Sequence, residues 1–244
     1  MIDRGTALEA LREGEIEIVG RIVASSNNAM LVTVTRVCPD PGPVLVLDAI
    51  YKPTLGERPL DDFPDGTLAH REVAAWHVSE ASGWGIVPPT LLRDGPFGEG
   101  MVQAFVEVDP DVDVIAMVVE DDARLRRMAV LDAVMNNTDR KGGHILPVDG
   151  GRHVYGVDHG VTFSPVPKLR TVLWGWRGQA LEQDEIDGLE RVRESLGSEL
   201  GETLRALLSR LEVRATARRL DALLATRRFP YPSPDWPAIP WPPF

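Results

Sequence analysis

Two stretches of the chain hold residues that could act together on a phosphate. In Val134–Ser164 an apolar stretch runs into a polar loop, Asn136-Asn137-Thr138-Asp139-Arg140. Two short apolar runs follow, Ile145–Val148 and His153–Val157, with Asp149-Gly150-Gly151-Arg152 between them, and the second run ends on Asp158-His159-Gly160. A helix, a loop with one acid, a tight hairpin and a second acid bring two carboxylates to one mouth. That set suits chemistry on a phosphate held by a divalent metal, because hard cations take oxygen ligands. Upstream, Lys52 ends an apolar strand, Ala49-Ile50-Tyr51-Lys52-Pro53, where its ammonium can reach phosphates in a cleft. Glu72, on the helix that follows, can pair with it. Taken singly each residue is ordinary: strand-end lysines protect edges, charged helix residues face water, and a lone aspartate belongs to a turn. In this order, the set is far less expected by chance.

The elements that must position these residues can be read from period and punctuation. Thr6–Leu11 has a short helical pattern, and Glu15–Val23 alternates polar and apolar as a strand does. Ser25-Ser26-Asn27-Asn28 is a turn, and Met30–Val37 alternates again and pairs back as a hairpin. Pro39–Pro43 breaks the chain, Val44–Tyr51 is a third strand, and a polar loop spans Lys52–Gly66. Thr67–Ser82 is a helix with Thr67 as N-cap and Gly83 as its stop. Thr90–Arg93 and Met101–Val108 are two more strands joined by Asp94–Gly100, and Pro110–Asp113 is an acidic linker. From Asp121 the character changes. Leu125, Met128, Ala129, Ala133 and Val134 mark the apolar face of a helix ending near Asn136. After the hairpin come helical patterns at Asp184–Leu196, Glu199–Leu211 and Val213–Arg227. The tail Phe229–Phe244, rich in Pro and Trp, is either an ordered strap or a recognition tail.

Bulk composition limits the function classes. With 244 residues and 43% hydrophobic residues the chain can bury a real core. A net charge of −11 disfavours nucleic acid or anionic lipid as a general partner. Cys38 is the only cysteine, which precludes an internal disulfide and points to a reducing compartment. No apolar run reaches the roughly 18 residues of a transmembrane span, and the charged N-terminus lacks a signal-peptide pattern. The expectation is a cytoplasmic protein.

The chain resembles the atypical, phosphoinositide-kinase-like branch of the protein kinase superfamily, which includes the HipA-type bacterial kinases, and within it an actinobacterial group. The residues that carry the resemblance are Tyr51-Lys52-Pro53, Arg71-Glu72-Val73-Ala74-Ala75 and Val87-Pro88-Pro89-Thr90, then Asn137-Thr138-Asp139-Arg140-Lys141-Gly142-Gly143-His144-Ile145-Leu146 and Val157-Asp158-His159-Gly160. It covers Val44 to Ser164. It implies an α+β, two-lobed protein-kinase-like fold, with an antiparallel β N-lobe (residues 1–108) and a mainly helical C-lobe (residues 109–244). It implies ATP and a divalent metal, Mg or Mn, as cofactors. By position, Lys52 would contact the α- and β-phosphates and Glu72 would hold Lys52. Ser25, Ser26, Asn27 and Asn28 would cover the phosphates in place of a glycine-rich loop. The hinge Gln103, Ala104, Phe105 and Val106 would bond adenine through its backbone. Asp139 would orient the acceptor hydroxyl, and Asp158 would ligate the metal. Lys168 and Arg170 fall where such proteins meet substrate and could contact an anionic acceptor, although basic loop residues are usually just solvated.

One departure matters. His144, five positions after Asp139, stands where the branch has asparagine. Imidazole is a poor magnesium ligand, so a manganese preference or a weakened second metal site is expected; packing at the strand start is the alternative. The expected activity is ATP-dependent phosphotransfer to a hydroxyl of a soluble small molecule or a protein. A nucleotide-binding pseudokinase is the second reading, and a metal-dependent phosphohydrolase using Asp139, His144, Asp158 and His159 the third. Other signals are weaker. Gly95, Gly98 and Gly100 precede a strand, which suits a hairpin turn and not a dinucleotide site. His70 and His77 lie on one helix face that solvent explains better than metal. The arginines of Arg210–Arg228 alternate with Leu and Ala, as on a solvated helix.

Overall fold

The computed structural model describes residues 3–22, 28–37 and 44–244. The chain divides into two compact units, the first Met1–Val73 with Pro88–Val106, the second Ala74–Val87 with Glu107–Phe244.

In the first unit, helix α1 (Arg4–Glu13) is capped by Asp3, whose carboxylate accepts the Thr6 amide at 3.0 Å. It leads into β1 (Glu15–Arg21), β2 (Met30–Val37) and β3 (Val44–Pro53), antiparallel neighbours in sequence. Strands β4 (Thr90–Gly95) and β5 (Gly98–Ala104) close the sheet in the order β1-β2-β3-β5-β4. Their β-branched alternation turns Met30, Val32 and Val34 to one face, where they meet Leu11, Ala49, Tyr51 and Val102 in a small core. The second hairpin turns at Pro96–Phe97, between Gly95 and Gly98, so β5 starts three residues earlier than the period alone suggests. Gly98 has φ 89°, which favours glycine. Tyr51 locks this turn: its buried hydroxyl donates to the Gly98 carbonyl at 2.6 Å and accepts the Phe97 amide at 3.2 Å.

Helix α2 (Leu68–Ser82) forms where expected, but its cap differs. Thr67 donates its hydroxyl to the Pro64 carbonyl. The open amides of Leu68 and Ala69 go to the two oxygens of Glu57, at 3.0 and 2.8 Å. A carboxylate at a helix N-terminus satisfies orphan donors and the dipole together; sequence spacing cannot reveal a cap that comes from eleven residues upstream.

The second unit holds the larger core. Helix α3 (Val114–Val119), capped by Asp113, was not legible as a helix because it is one short turn-and-a-half. Helix α4 (Arg126–Met135) is the centre of the unit, with every residue from Met128 to Met135 buried. Burial therefore reaches beyond the apolar face expected for it and takes in the carboxylate of Asp132. The hairpin β6 (Ile145–Val148) and β7 (His153–Gly156) follows. Helices α5 (Gln183–Leu196), α6 (Glu199–Leu207) and α7 (Arg210–Thr226) complete the unit. Helix α7 starts earlier than its apolar period suggests, because Ser209 and Glu212 form a capping box. Arg219 on α7 donates to the Val134 and Ser164 carbonyls, and burial pulls its guanidinium down to about 10. Among the described residues no helix is long and apolar enough to cross a membrane.

Candidate active site

The first unit supplies a part-buried cation–anion pair. Lys52 lies on β3, paired with Met101 of β5. Its Nζ is 2.7 Å from Glu72 Oε1, and the Glu72 side chain is only 2% exposed. A carboxylate so buried stays charged when a cation and hydrogen bonds hold it, so the pair fixes the ammonium at a strand end. Gly100 makes this register possible. A Cβ there would lie 2.5 Å from the Lys52 carbonyl oxygen, so any side chain pushes β5 off β3 at the lysine.

Of the turn expected to cover phosphates, Ser25, Ser26 and Asn27 lie outside the described residues, and Asn28 is half-buried. In the stretch expected as the hinge, the Gln103 side chain is buried and donates to Thr90 Oγ1 at 2.8 Å. The Ala104 amide goes to the Pro89 carbonyl and the Phe105 amide to the Asp48 carbonyl, both at 2.9 Å. Those two donors are thus used within the unit, and Val106 follows them.

The second unit supplies the carboxylates. Asn136 ends α4 in the left-handed region, its φ 53°, and its amide group bonds the Ser164 and Val166 carbonyls. Asn137 accepts the Asp139 amide at 3.0 Å and donates to Asp132 at 2.9 Å. This arrangement presents the Asp139 carboxylate, one-third exposed and 3.1 Å from Lys141 Nζ. Asp158 stands on a left-handed backbone, φ 59°, where an aspartate is tolerated better than most residues. Its Oδ2 is 3.3 Å from His144 Nε2. The other ring nitrogen, Nδ1, is buried with no hydrogen-bond partner. Burial holds the imidazole below the usual histidine range, against the pull of the Asp158 carboxylate.

Arg140, next to Asp139, joins these pieces. It is fully buried, as is the Asp132 carboxylate that it grips through Nε at 3.0 Å and Nη2 at 3.0 Å. Its Nη1 donates to the His144 carbonyl at 3.2 Å and the Val157 carbonyl at 2.9 Å. Its Nη2 lies 2.6 Å from His159 Nε2. A guanidinium only donates, so that nitrogen accepts and the His159 ring is neutral. One side chain therefore ties the residues carrying Asp139, His144 and Asp158 into a single network. Asp132 carries no sequence expectation, and the buried contacts that join it to Asn137, Arg140 and His159 are not foreseen there. The signal was present, though: an aspartate inside an otherwise apolar helix must find a buried partner.

Lys168 and Arg170 sit in this unit too. Lys168 Nζ lies 4.3 Å from the Trp236 ring centroid. Arg170 Nε donates to the Pro237 carbonyl at 3.2 Å. His77 stacks edge-on against Trp76, and His70 Nε2 is 3.9 Å from Glu99.

The fold is that of a protein kinase. Two solved kinase-fold structures align with nearly the whole chain at 13% identity and a TM-score of 0.53 each: the Helicobacter pylori proinflammatory kinase CtkA (90% of this chain, 94% of that one) and hydra Fam20 solved with sugar (91% and 87%). In sequence, the chain is 40% identical over 270 aligned positions to protein Rv2133c of Mycobacterium tuberculosis, covering 96% of this chain and 94% of that one. It belongs to the family of Rv2133c. No family model matches it.

Proposed function

We propose that the chain is an ATP-dependent phosphotransferase of the phosphoinositide-kinase-like branch, acting on a hydroxyl of a soluble small molecule or a protein. The part-buried Lys52–Glu72 pair at 2.7 Å carries the reading, because a strand lysine locked to a helix glutamate is how kinases hold ATP phosphates in register. Lys52 bonds the phosphates and Glu72 keeps the ammonium in place. Asp139 accepts the proton of the acceptor hydroxyl. Asp158, with His144 beside it, would hold a divalent ion, which neutralises phosphate charge when bound. The donor set fits such an ion only with help. Among the described residues no three His, Cys, Asp or Glu side chains gather into a metal site. Magnesium in nucleotide sites takes one or two carboxylates and completes its shell with phosphates and water, and an imidazole beside Asp158, its Nε2 3.3 Å from Oδ2, suits a softer ion such as manganese.

A nucleotide-binding pseudokinase is the second reading, favoured by an imidazole where an oxygen ligand is expected. A phosphohydrolase has less support, since it needs a preformed ligand cluster and His159 Nε2 is committed to Arg140. Thermal melts of the wild type and Asp158→Ala with ATP alone, with magnesium and with manganese test the proposal. At a hundredfold excess over Kd, bound metal–nucleotide adds about 2.7 kcal/mol. A metal-dependent upshift lost in Asp158→Ala supports it, and no shift in any condition refutes it.

A further inference from the structure

The Pro/Trp-rich tail is an ordered strap, and it runs onto the loop that presents Asp139. The Pro243 carbonyl accepts the Gly142 amide at 2.8 Å. The Phe244 ring lies where a Gly142 side chain would be, so a Cβ at Gly142 collides with it. Gly142 lies between Asp139 and His144 on the same loop.

The strap reaches the loop by a second route. The Ala238 carbonyl accepts both the Thr171 amide at 3.0 Å and the Trp174 indole N–H at 2.8 Å. Thr171 forms a parallel bridge with Arg140. The Arg140 amide donates to the Arg170 carbonyl, and the Val172 amide returns a bond to the Arg140 carbonyl, both at 3.1 Å. Strap, residues 170–172 and catalytic loop are thus three adjacent chain segments laced by backbone bonds.

The strap also engages the cations assigned to an anionic acceptor. Lys168 stands over Trp236, and Arg170 donates to the Pro237 carbonyl. The Arg140–Asp132 pair anchors one part of this loop, but Gly142 and Gly143 bring no side chains to fix the rest. Here an external segment over-determines it.

We propose that Trp236–Phe244 is a positioning strap that sets the conformation of the Asp139–His144 loop, through Gly142 directly and through residues 170–172 indirectly. Its effect on turnover rests on the phosphotransferase reading; its effect on the loop does not. The strap acts on the loop that orients the acceptor, so it governs kcat and leaves ATP affinity alone.

Gly142→Ala, Phe244→Ala and the double variant test this. Amide hydrogen exchange is read at Arg140 and Val172, whose bonding partners are not strap atoms. In Phe244→Ala their exchange should rise tenfold or more while α5 and α7 are unchanged. A rise confined to Gly142 and Thr171 would overturn the proposal, because those amides merely lose their own strap partners. ADP release from ATP and manganese, with water as acceptor, gives the second readout. Gly142→Ala should lower kcat at least tenfold with KM for ATP within twofold, and the double variant should be no worse than Phe244→Ala. Multiplying losses, or a changed KM at constant kcat, would count against it. A wild type that neither binds nor consumes ATP ends the phosphotransferase reading alone, and exchange at Arg140 and Val172 still decides the strap.

Discussion

Replacing Arg140 with methionine should cost the second unit about 3–5 kcal/mol, the usual penalty for orphaning one member of a buried ion pair. The structure supplies the terms. Asp132 is 0% exposed and would keep only the Asn137 bond to its charge. The carbonyls of His144 and Val157 lose their Nη1 donor, and His159 Nε2 loses Nη2. Each orphaned polar group can cost about 1–3 kcal/mol, but these losses share one site and do not add. For a chain of this size the shift corresponds to roughly 6–20 °C in Tm. Urea unfolding followed by tryptophan fluorescence is the assay, since all six tryptophans, from Trp76 to Trp241, belong to the second unit. Asp132→Leu combined with Arg140→Met removes both charges and should regain more than half of the loss, because a buried pair is replaceable by apolar volume. A single variant within about 1 kcal/mol of wild type, or a double variant as unstable as the two losses summed, would show that the network does not hold the loop.

Other perturbations give independent checks. Gly100→Ala should weaken ATP binding about tenfold, or about 1.4 kcal/mol, because its Cβ meets the Lys52 carbonyl oxygen; unchanged affinity by calorimetry would detach Lys52 from nucleotide binding. His144→Asn should move the metal preference from manganese toward magnesium, and identical activation of both proteins by both ions would remove His144 from the metal site. His77 is held below the usual histidine range by burial, against the opposing pull of Glu199. The unfolded chain therefore takes up that proton first. The contribution of His77 is present in full above its unfolded value near 6.5 and is lost as pH falls through the folded one. His77→Gln should flatten the acid side of the stability curve, and an unchanged slope between pH 7 and 5 would refute this.

The sequence by itself determined the α+β class, the strands β1 to β5 and the helical second half, because alternation and helical spacing are written locally in Val, Ile and Leu. The order of Lys52, Glu72, Asp139 and Asp158 was legible for the same reason, since Lys52 and Glu72 lie in a strand and a helix, and Asp139 and Asp158 follow a helix and a strand, each with its own punctuation. Tertiary structure alone decided what fixes them. Glu57 caps α2 from a loop, Gly100 admits Lys52 by having no side chain, and Arg140 meets Asp132 inside the core. It also decided that the Pro/Trp tail is a strap, since carbonyls such as those of Ala238 and Pro243 gain meaning only from the amides opposite them. Local pattern specifies elements, whereas burial and pairing between distant residues set the cost of each polar group and so the place where a charge can stand.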